Sequence, residues 1–339
     1  MTKTKRSCKC IFRRILIILL CIVIALAALA GLVYWLITKD SSEPPISTDG
    51  ATNPLITPLG QTMLSGHRAG GGIAPENTMM ALKTCVESDV YTLDVFEFDI
   101  HLTADGIPVL LHDSTLDRTS DAAEVFAATN VEVGSKTLVE LKALNMGARF
   151  TNLDGETPFA HLSGEAVPDD LRIVTLEEAL RYLESNGEYH YIIEVKNGGD
   201  TGLRATDILY ETLVAHDCLS RTVVGTFHNE VTAYMDEKYP DMPRSAGVKE
   251  CIRFYLHAML GLKAKEGTFR FVALQIPTTD YVVNLGTSRV VNYAHKNNIA
   301  VQYWTINDLQ EMARLQSIGA DAIMTDVPNQ AVGILNQPE

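Results

Sequence analysis

Cysteine is scarce in this chain of 339 residues, and the cysteines that it has do not form a crosslinking pattern. Of the six, only Cys85, Cys218 and Cys251 follow the first 21 residues, and they lie far apart. An odd and scattered set excludes a disulfide framework and indicates small, buried core residues. A domain of this size buries an adequate core without such crosslinks.

Positive charge is also scarce outside the N-terminus. The chain has 28 Lys and Arg against 42 Asp and Glu, for a formal net charge of -14, and residues 1–14 contain six of the cations and no acid. The remainder therefore carries -20. Such a surface repels nucleic-acid phosphates, which excludes DNA or RNA as an expected partner.

One long apolar run is present, an uncharged stretch of 23 residues from Ile15 to Ile37. As a helix it would be about 34 Å long, enough to cross a hydrocarbon core of roughly 30 Å. The basic residues 1–14 predict a cytoplasmic N-terminus and place the rest of the chain outside a cell membrane that it crosses once. The alternative is a cleaved signal peptide, since residues 25–30 (ALAALA) resemble a cleavage site. The apolar run continues past them, beyond the usual length of about 7 to 15 residues, so an uncleaved anchor is expected.

The rest of the chain divides into a linker and one domain. Residues 38–60 contain four prolines among small polar residues and predict an extended linker. Residues 61–339 alternate short β-branched runs with amphipathic patterns. Helix starts are indicated by Pro75 and by capping boxes at Thr137 with Glu140 and at Thr175 with Glu178. The predicted strands are 62–67, 94–100, 190–195, 222–226, 244–248, 270–275, 299–304 and 321–325.

Eight such alternations predict an α/β fold, the (β/α)8 TIM barrel. A ninth apolar run, Ile107 to His112, follows the second strand after a short turn containing Asp105 and Gly106. So short a connection predicts an antiparallel hairpin excursion rather than a further barrel strand.

Acidic residues lie on strands that a barrel covers on both faces. Glu97 and Asp99 share one face of the second strand, and Glu194 shares a face with Lys196 on the third. Uncompensated carboxylates in a barrel mouth are costly. The three carboxylates therefore predict a site for one divalent cation, Mg²⁺ or Ca²⁺, and Lys196 with Arg68 are candidates to bind an anionic substrate.

Two histidines follow strands that converge at this mouth. His67 ends the first strand, within a glycine-rich stretch (66–72) that matches neither a dinucleotide fingerprint nor a phosphate-binding loop, and His112 ends the hairpin. Imidazole serves as acid or base near neutral pH, so the pair predicts proton-transfer catalysis.

These residues together resemble the glycerophosphodiester phosphodiesterase family over roughly residues 62 to 335. The segments that carry the resemblance are 67–68 (HR), 75–78 (PENT), 97–99 (EFD), 106–109 (GIPV), 112–113 (HD), 194–196 (EVK), 303–307 (YWTIN) and 319–326 (GADAIMTD). The resemblance implies a barrel that uses a divalent cation to hydrolyse a small-molecule glycerophosphodiester to glycerol 3-phosphate and an alcohol.

By this resemblance each candidate residue acquires a role. Glu97, Asp99 and Glu194 hold the metal, Arg68 and Lys196 bind phosphate, and His67 and His112 form an acid and base pair in an order that the sequence does not assign. Glu76 is expected to orient the metal or a glycerol hydroxyl, or else to be a first-turn helix acid. Trp304 is expected to form an apolar wall for glycerol, or else to pack in the core.

Two departures from the family pattern and three alternatives stay open. Ala69 replaces a usual glycine, and residues 226–228 (TFH) replace a usual Ser-Phe pair, which leaves the headgroup pocket open to question. The first alternative is a phospholipase of D or C type that acts on lysophospholipid; its lipid contact would be the apolar stretch 251–260, which is otherwise an outer helix of the barrel. The second is an enzyme that acts on polymeric glycerophosphate. The third is an inactive, membrane-tethered binding barrel.

Overall fold

The computed structural model describes residues 3–38, 43–265, 267–280 and 283–335. Its first element is the helix α1, Lys3–Thr38. The stretch Ile17–Trp35 within it is long and apolar enough to cross a membrane, and none of it is buried against the rest of the chain. By length and composition this helix fits a membrane span or a signal sequence.

The domain that follows is a barrel of parallel strands. The strand order around the barrel is β5-β4-β2-β1-β10-β9-β6, with every neighbouring pair parallel. The strands are β1 Met63–Gly66, β2 Val95–Leu102, β3 Pro108–Leu110, β4 His190–Val195, β5 Thr222–Gly225, β6 Ala273–Ile276, β7 Thr279–Asp280, β8 Val283–Asn284, β9 Ala300–Tyr303 and β10 Ala322–Thr325. The further helices are α2 Met79–Val86, α3 Ala122–Val125, α4 Leu138–Leu141, α5 Leu176–Glu184, α6 Gly199–Ala215, α7 Asn229–Lys238, α8 Val248–Leu260, α9 Ser288–Lys296 and α10 Leu309–Ser317. The predicted TIM barrel is confirmed.

The gap between β5 and β6 is closed by a very short segment rather than by a full strand. Arg244 makes a parallel bridge to Val224 of β5, and Ser245 makes one to Ala273 of β6. The prediction of a strand over 244–248 was therefore too long. The reason is local: Glu250 accepts a hydrogen bond from the Gly247 amide at 2.9 Å, and α8 begins at the next residue.

The predicted hairpin is confirmed, because β3 pairs antiparallel with β2. Both predicted capping boxes are also present, at Thr137 and Thr175. The predicted helix start at Pro75 was wrong. Asn77 has a positive φ of 57°, which interrupts a right-handed helix, and α2 begins only at Met79, capped by the hydroxyl of Thr78.

Residues 43–60 have no helix or strand, but they lie along the barrel and are hydrogen-bonded to it. Asn53 donates to the carbonyl oxygens of Val272 and Asn298, and the Thr57 amide donates to Asp321. Leu55 is 6% exposed and joins an apolar layer with residues of six barrel strands, Val95, Ile192, Val223, Ala273, Ala300 and Met324. This segment is therefore part of the domain, and residues 39–42 of the predicted linker lie outside the described residues.

Candidate active site

A cavity of about 300 Å³ opens at the carboxyl ends of the barrel strands. Strand C-termini and the loops that follow them converge at this face of a parallel barrel, which is where barrel enzymes carry their active sites. Of the nine predicted site residues, all but Glu76 line the cavity, and Glu76 contacts one that does. The eight are His67, Arg68, Glu97, Asp99, His112, Glu194, Lys196 and Trp304.

The three predicted metal ligands lie on two adjacent strands. Asp99 of β2 is the register partner of Glu194 of β4, and Glu97 precedes Asp99 by two residues on the same face. Between the two strands, the Lys196 ammonium lies 3.1 Å from Asp99 Oδ1 and 3.0 Å from Glu194 Oε1. Lys196 thus neutralises part of the acidic cluster.

Glu97 is the member of this cluster whose charge is least compensated. Burial and the neighbouring charge of Asp99 raise the pKa of Glu97, although the amide of Arg68 donates to its Oε2 at 2.6 Å. Burial likewise raises the pKa of Glu194, against the opposing effect of Lys196. For Asp99, burial is the largest single influence and would raise the pKa, but the charges of Lys196, His112 and Arg68 and the hydrogen bond from Asn77 together lower it.

The residues present fit a hard divalent cation by their chemistry. They offer carboxylate oxygens, and the buried Oδ1 of Asn77 has no hydrogen-bond partner while its Nδ2 donates to Asp99 at 3.1 Å. An orphaned acceptor beside buried carboxylates is where a cation would find a further oxygen. Within the described residues, however, no three acidic, histidine or cysteine groups stand in a ready ligand arrangement. The ligand set therefore remains a prediction.

His67 is held by a carboxylate that directly follows the last strand. Its Nδ1 lies 2.7 Å from Asp326 Oδ1, and Asn307 donates to the other oxygen of Asp326 at 2.8 Å. Burial alone would lower the pKa of His67, but the hydrogen bond to Asp326 and the charge of Glu97 outweigh it, and the net effect is a raised pKa.

His112 has a similar partner but the opposite shift. Its Nδ1 lies 2.7 Å from Asp113 Oδ1. Arg118 in turn donates to Asp113 Oδ2 at 2.5 Å, and with His112 it lowers the pKa of Asp113 to about 2 despite its burial. Burial is the largest influence on His112, and it lowers the pKa against the opposing charge of Asp99.

Arg68 enters the cavity from a strained turn. It has a positive φ of 51°, and the following Ala69 has one of 60° and is fully buried. Ala69 therefore adopts a left-handed backbone, a conformation that a glycine, expected here from the resemblance, would adopt without strain. One Arg68 nitrogen, Nη1, donates to both oxygens of Glu76, whereas its buried Nε has no hydrogen-bond partner.

Glu76 holds two arginines and caps no helix. Besides Arg68, it accepts bonds from both terminal nitrogens of Arg118 at 2.7 Å. It precedes the cap of α2, so its interpretation as a first-turn helix acid was wrong. Since Arg118 also binds Asp113, a continuous chain of ion pairs joins Arg68 to the partner of His112.

The aromatic residues of the cavity lie at its edge. Trp304 lines the cavity and packs edge to face with Phe227, with 6.4 Å between the ring centroids. Phe227 is 56% exposed, so this pair forms a partly open apolar wall. The neighbouring His228 points elsewhere, because its Nε2 lies 3.1 Å from the Lys196 carbonyl oxygen.

Four residues of this site had no predicted role in the sequence: Asn77, Asp113, Arg118 and Asp326. Asp326 directly follows the last strand, and Asp113 directly follows His112. Their positions at strand ends were a usable signal, since such residues face the mouth. Arg118 had no comparable signal, because the loop that carries it has no periodic pattern.

Comparison with known proteins agrees with this geometry. Residues 67–330 match the model of the glycerophosphoryl diester phosphodiesterase family. A glycerophosphodiester phosphodiesterase of Caldanaerobacter subterraneus is 25% identical over 282 residues, covering 82% of this chain and 99% of the relative.

Solved structures show the same fold. The glycerophosphoryl diester phosphodiesterase domain of a Mycobacterium tuberculosis protein superposes with a TM-score of 0.63 at 18% identity, covering 80% of this chain and 98% of that domain. An Oleispira antarctica phosphodiesterase, solved with the product sn-glycerol-3-phosphate, gives a TM-score of 0.58 at 22% identity over 80% of this chain and 95% of its own.

The fold and the matched sequence define a phosphoric diester hydrolase built on a TIM barrel. The chain belongs to the glycerophosphoryl diester phosphodiesterase family. Members of this family generally depend on a divalent metal ion.

Proposed function

We propose that this protein hydrolyses glycerophosphodiesters to glycerol 3-phosphate and an alcohol by histidine acid and base catalysis, with a divalent cation held by Glu97, Asp99 and Glu194. The observation that carries the proposal is the pair of histidines at one cavity. In each ring Nδ1 is engaged by an aspartate at 2.7 Å, which orients the ring. Among the described residues Nε2 of His67 has only the long contact of Thr305 Oγ1 at 3.4 Å, and both Nε2 atoms are proposed to transfer protons.

The opposite pKa shifts support an assignment of roles. A raised pKa favours the protonated form of an imidazole, which donates a proton, and a lowered pKa favours the neutral form, which accepts one. His67 is therefore proposed as the acid that protonates the leaving alkoxide. His112 is proposed as the base that deprotonates the attacking water or the substrate's own glycerol hydroxyl.

The cations of the cavity are proposed to receive the phosphate. Arg68 has a buried and unpartnered Nε aimed at no protein acceptor, and its planar guanidinium matches phosphate oxygens. Lys196 supplies a compact charge beside Asp99 and Glu194. A bound Mg²⁺ or Ca²⁺ would supply Lewis acidity and offset the charge that builds on the phosphate.

The test is a turnover assay of the full chain in detergent on glycerophosphocholine, glycerophosphoethanolamine, glycerophosphoglycerol and lysophosphatidylcholine, each with Mg²⁺ or Ca²⁺. We expect hydrolysis of at least one of these diesters, its loss on chelation with EDTA and its recovery when the metal is restored. His112→Ala should lower kcat by about a hundredfold or more, the usual contribution of a positioned acid or base.

His161→Ala is the matched control, because His161 is exposed and does not line the cavity. It should leave kcat unchanged. Undiminished turnover after chelation would refute the metal site, and undiminished turnover of His112→Ala would refute the proposed base.

We also propose that α1 is retained as a single membrane anchor that leaves the barrel outside the cell. The uncharged length of the helix, the absence of any buried residue along Ile17–Trp35 and the six cations of residues 1–14 support this. Intact mass of the protein purified from membranes tests it: a mass that includes residues 1–37 is expected, and a mature chain that begins after residue 27 or 30 would show that the helix is a signal peptide.

A further inference from the structure

The outward face of α8 is apolar, which is unusual for the outer helix of a barrel. Four residues at a spacing of four, Val248, Ile252, Leu256 and Leu260, are 42% to 58% exposed, and Leu262 beyond the helix is 45% exposed. The opposite face packs in the core through Phe254 and Ala258. Outer helices normally present polar residues to water, so a continuous exposed stripe of this kind marks a contact surface.

Cations are concentrated on α8 and in the segment that follows it. Residues 249–270 contain five Lys and Arg against two acids. In the whole chain the acids are in excess, with 42 Asp and Glu against 28 Lys and Arg. The five are exposed: Lys249, Arg253, Lys263, Lys265 and Arg270. One of the two acids, Glu250, is already bound by Arg244. An apolar stripe together with such cations is the pattern of a helix that lies in the interface of an anionic membrane.

The same helix joins the catalytic cavity to the end of the N-terminal helix. At one end, Val248 and Cys251 line the cavity. At the other end, the carbonyl oxygen of Met259 accepts a bond from Arg289 at 3.4 Å, and Arg289 Nε binds Glu43 Oε1 at 3.1 Å. The Glu43 amide also donates to Ser288 at 2.8 Å, which fixes the chain at this point.

The chain length between these points limits how far α8 lies from the bilayer. Only four residues separate Thr38, the last residue of α1, from Glu43. Even fully extended, five residue steps reach about 18 Å. Parts of α1 also lie within 8 Å, Cα to Cα, of α8 and β8. An anchored α1 therefore keeps α8 beside the membrane surface.

We propose that α8 is a membrane-docking helix: the stripe of Val248, Ile252, Leu256 and Leu260 enters the interface of the bilayer that holds α1, and the cations of α8 and of the segment after it bind anionic lipid headgroups. The inference rests on the proposed anchoring of the chain. Docking through α8 holds the cavity entrance beside the lipid surface, so diesters at that surface reach the site without crossing bulk water.

Depth-dependent tryptophan quenching tests this in the full chain reconstituted into vesicles of phosphatidylglycerol and phosphatidylcholine. The chain has two tryptophans, and Trp35→Phe removes the one in α1. Leu256→Trp in that background places a reporter in the stripe. Val90→Trp is the matched control, because Val90 is 61% exposed and lies far from α8. It belongs to the loop before β2, and β2 lies across the barrel from the segment that leads into α8. The Trp35→Phe chain contains Trp304 alone, so its emission is measured separately and subtracted from the emission of each reporter chain.

We expect lipids with brominated acyl chains to reduce the emission of the Leu256→Trp reporter by about twofold or more, as for a residue buried at the headgroup and acyl boundary, and to leave the Val90→Trp reporter unchanged. Arg253→Glu, on the same face, should weaken the quenching in phosphatidylglycerol vesicles. Equal emission of the Leu256→Trp reporter with brominated and ordinary lipids would overturn the proposal. A different result would assign the stripe to a contact with a second copy of the chain. In that case the emission of the Leu256→Trp reporter would shift to the blue as the protein concentration rises in detergent, and brominated lipids would not quench it.

The measurement is independent of catalysis. It requires no substrate, and a chain without diester hydrolysis can still be quenched. Intact mass of the reconstituted protein confirms that α1 is present. A failure of docking is thereby distinguished from a failure of the proposed activity or of the proposed anchor.

Discussion

His67 and His112 have the same kind of partner but different electrostatic surroundings. Each ring binds an aspartate through Nδ1 at 2.7 Å. The partner of His112 is itself held by Arg118, whereas the partner of His67 is held by the neutral Asn307. Burial is the largest influence on both rings and would lower both pKa values. The hydrogen bond to Asp326 and the charge of Glu97 outweigh it at His67, whereas at His112 burial, with the charges of Lys196 and Arg68, prevails over Asp99 and Asp113.

This difference predicts a bell-shaped dependence of kcat/KM on pH. The proposed acid, His67, loses activity as pH rises through its pKa, and the proposed base, His112, loses it as pH falls through its pKa. Asp326→Asn removes the charge that strengthens the bond to His67 and raises its pKa, so the alkaline limb should move to lower pH while the acidic limb stays. Initial rates at saturating metal across the pH range measure this.

Asp113→Asn provides the reciprocal variant. The hydrogen bond to Asp113 raises the pKa of His112, so its loss should move the acidic limb to lower pH. If Asp326→Asn moved the acidic limb instead, His67 would be the group with the lower pKa, and the assignment of acid and base made from the pKa shifts would be refuted.

Arg68 presents a second prediction at this scale. Its guanidinium is held by Glu76 through Nη1 only, so Nε and Nη2 remain for phosphate oxygens. Arg68→Lys keeps the charge but loses the planar fork, and we expect kcat/KM to fall by about tenfold or more, the loss of one charge-assisted hydrogen bond. Arg253→Lys in detergent is the control and should leave kcat/KM unchanged. An unaltered value for Arg68→Lys would remove Arg68 from the phosphate site.

The sequence predicted the residue types of the site better than their connections. Glu97, Asp99 and Glu194 follow from strand periodicity, because alternate residues of a buried strand share a face, and His67 and His112 follow from their positions at the ends of predicted strands. The bridge from Glu76 to Arg118 did not follow. Its two residues are 42 positions apart and lie in loops, and only the packed structure brings such positions together.

At the scale of the elements, one buried arginine connects the segment between β5 and β6 to the two helices beside it. Arg244 is 3% exposed and binds Asp236 of α7 and Glu250 of α8 at 2.7 to 3.0 Å. The segment it belongs to is bridged to β5 and β6 by single residues. Side-chain ion pairs thus replace much of the backbone pairing that a longer strand would provide.

Arg244→Ala should therefore destabilise the barrel strongly. It leaves two carboxylates without their cation, and we expect the free energy of unfolding to fall by about 3 kcal/mol, at the low end of the range because both carboxylates retain some exposure. Urea denaturation in detergent measures the change. Arg181→Ala is the control, because it breaks an exposed pair with Glu177 and should cost less than about 0.5 kcal/mol. A similar cost for both variants would contradict the role given to Arg244.

Helix and strand bounds were predictable where a local sequence signal sets them, and not where tertiary contacts determine them. The capping boxes at Thr137 and Thr175 are local hydrogen-bond patterns and formed as predicted. The strand over 244–248 was predicted too long because a helix cap at Gly247 competes with strand pairing, and the apolar sequence fits both.

For the molecule as a whole, the two ends of the barrel have opposite functions. The open end carries the carboxylates, histidines and cations, and its local field is set by them rather than by the net charge of -20 that follows residue 14. The other end is covered by residues 43–60. Composition predicted a linker there, because prolines and small polar residues lack a helical or strand pattern, but composition does not reveal that Asn53, Leu55 and Thr57 find partners on the barrel.

Leu55 allows this closure to be tested. It is 6% exposed within the apolar layer formed by six barrel strands, so Leu55→Ala should leave a cavity and lower the free energy of unfolding by about 2 to 3 kcal/mol. Leu59→Ala removes the same atoms from a leucine of the same segment that is 48% exposed, and it should cost no more than about 0.5 kcal/mol. Urea denaturation of both variants in detergent gives the comparison. Equal urea midpoints for Leu55→Ala and the unmodified protein would mean that residues 43–60 do not stabilise the barrel. A loss of unfolding free energy in Leu55→Ala alone would establish that the folded domain begins well before its first strand.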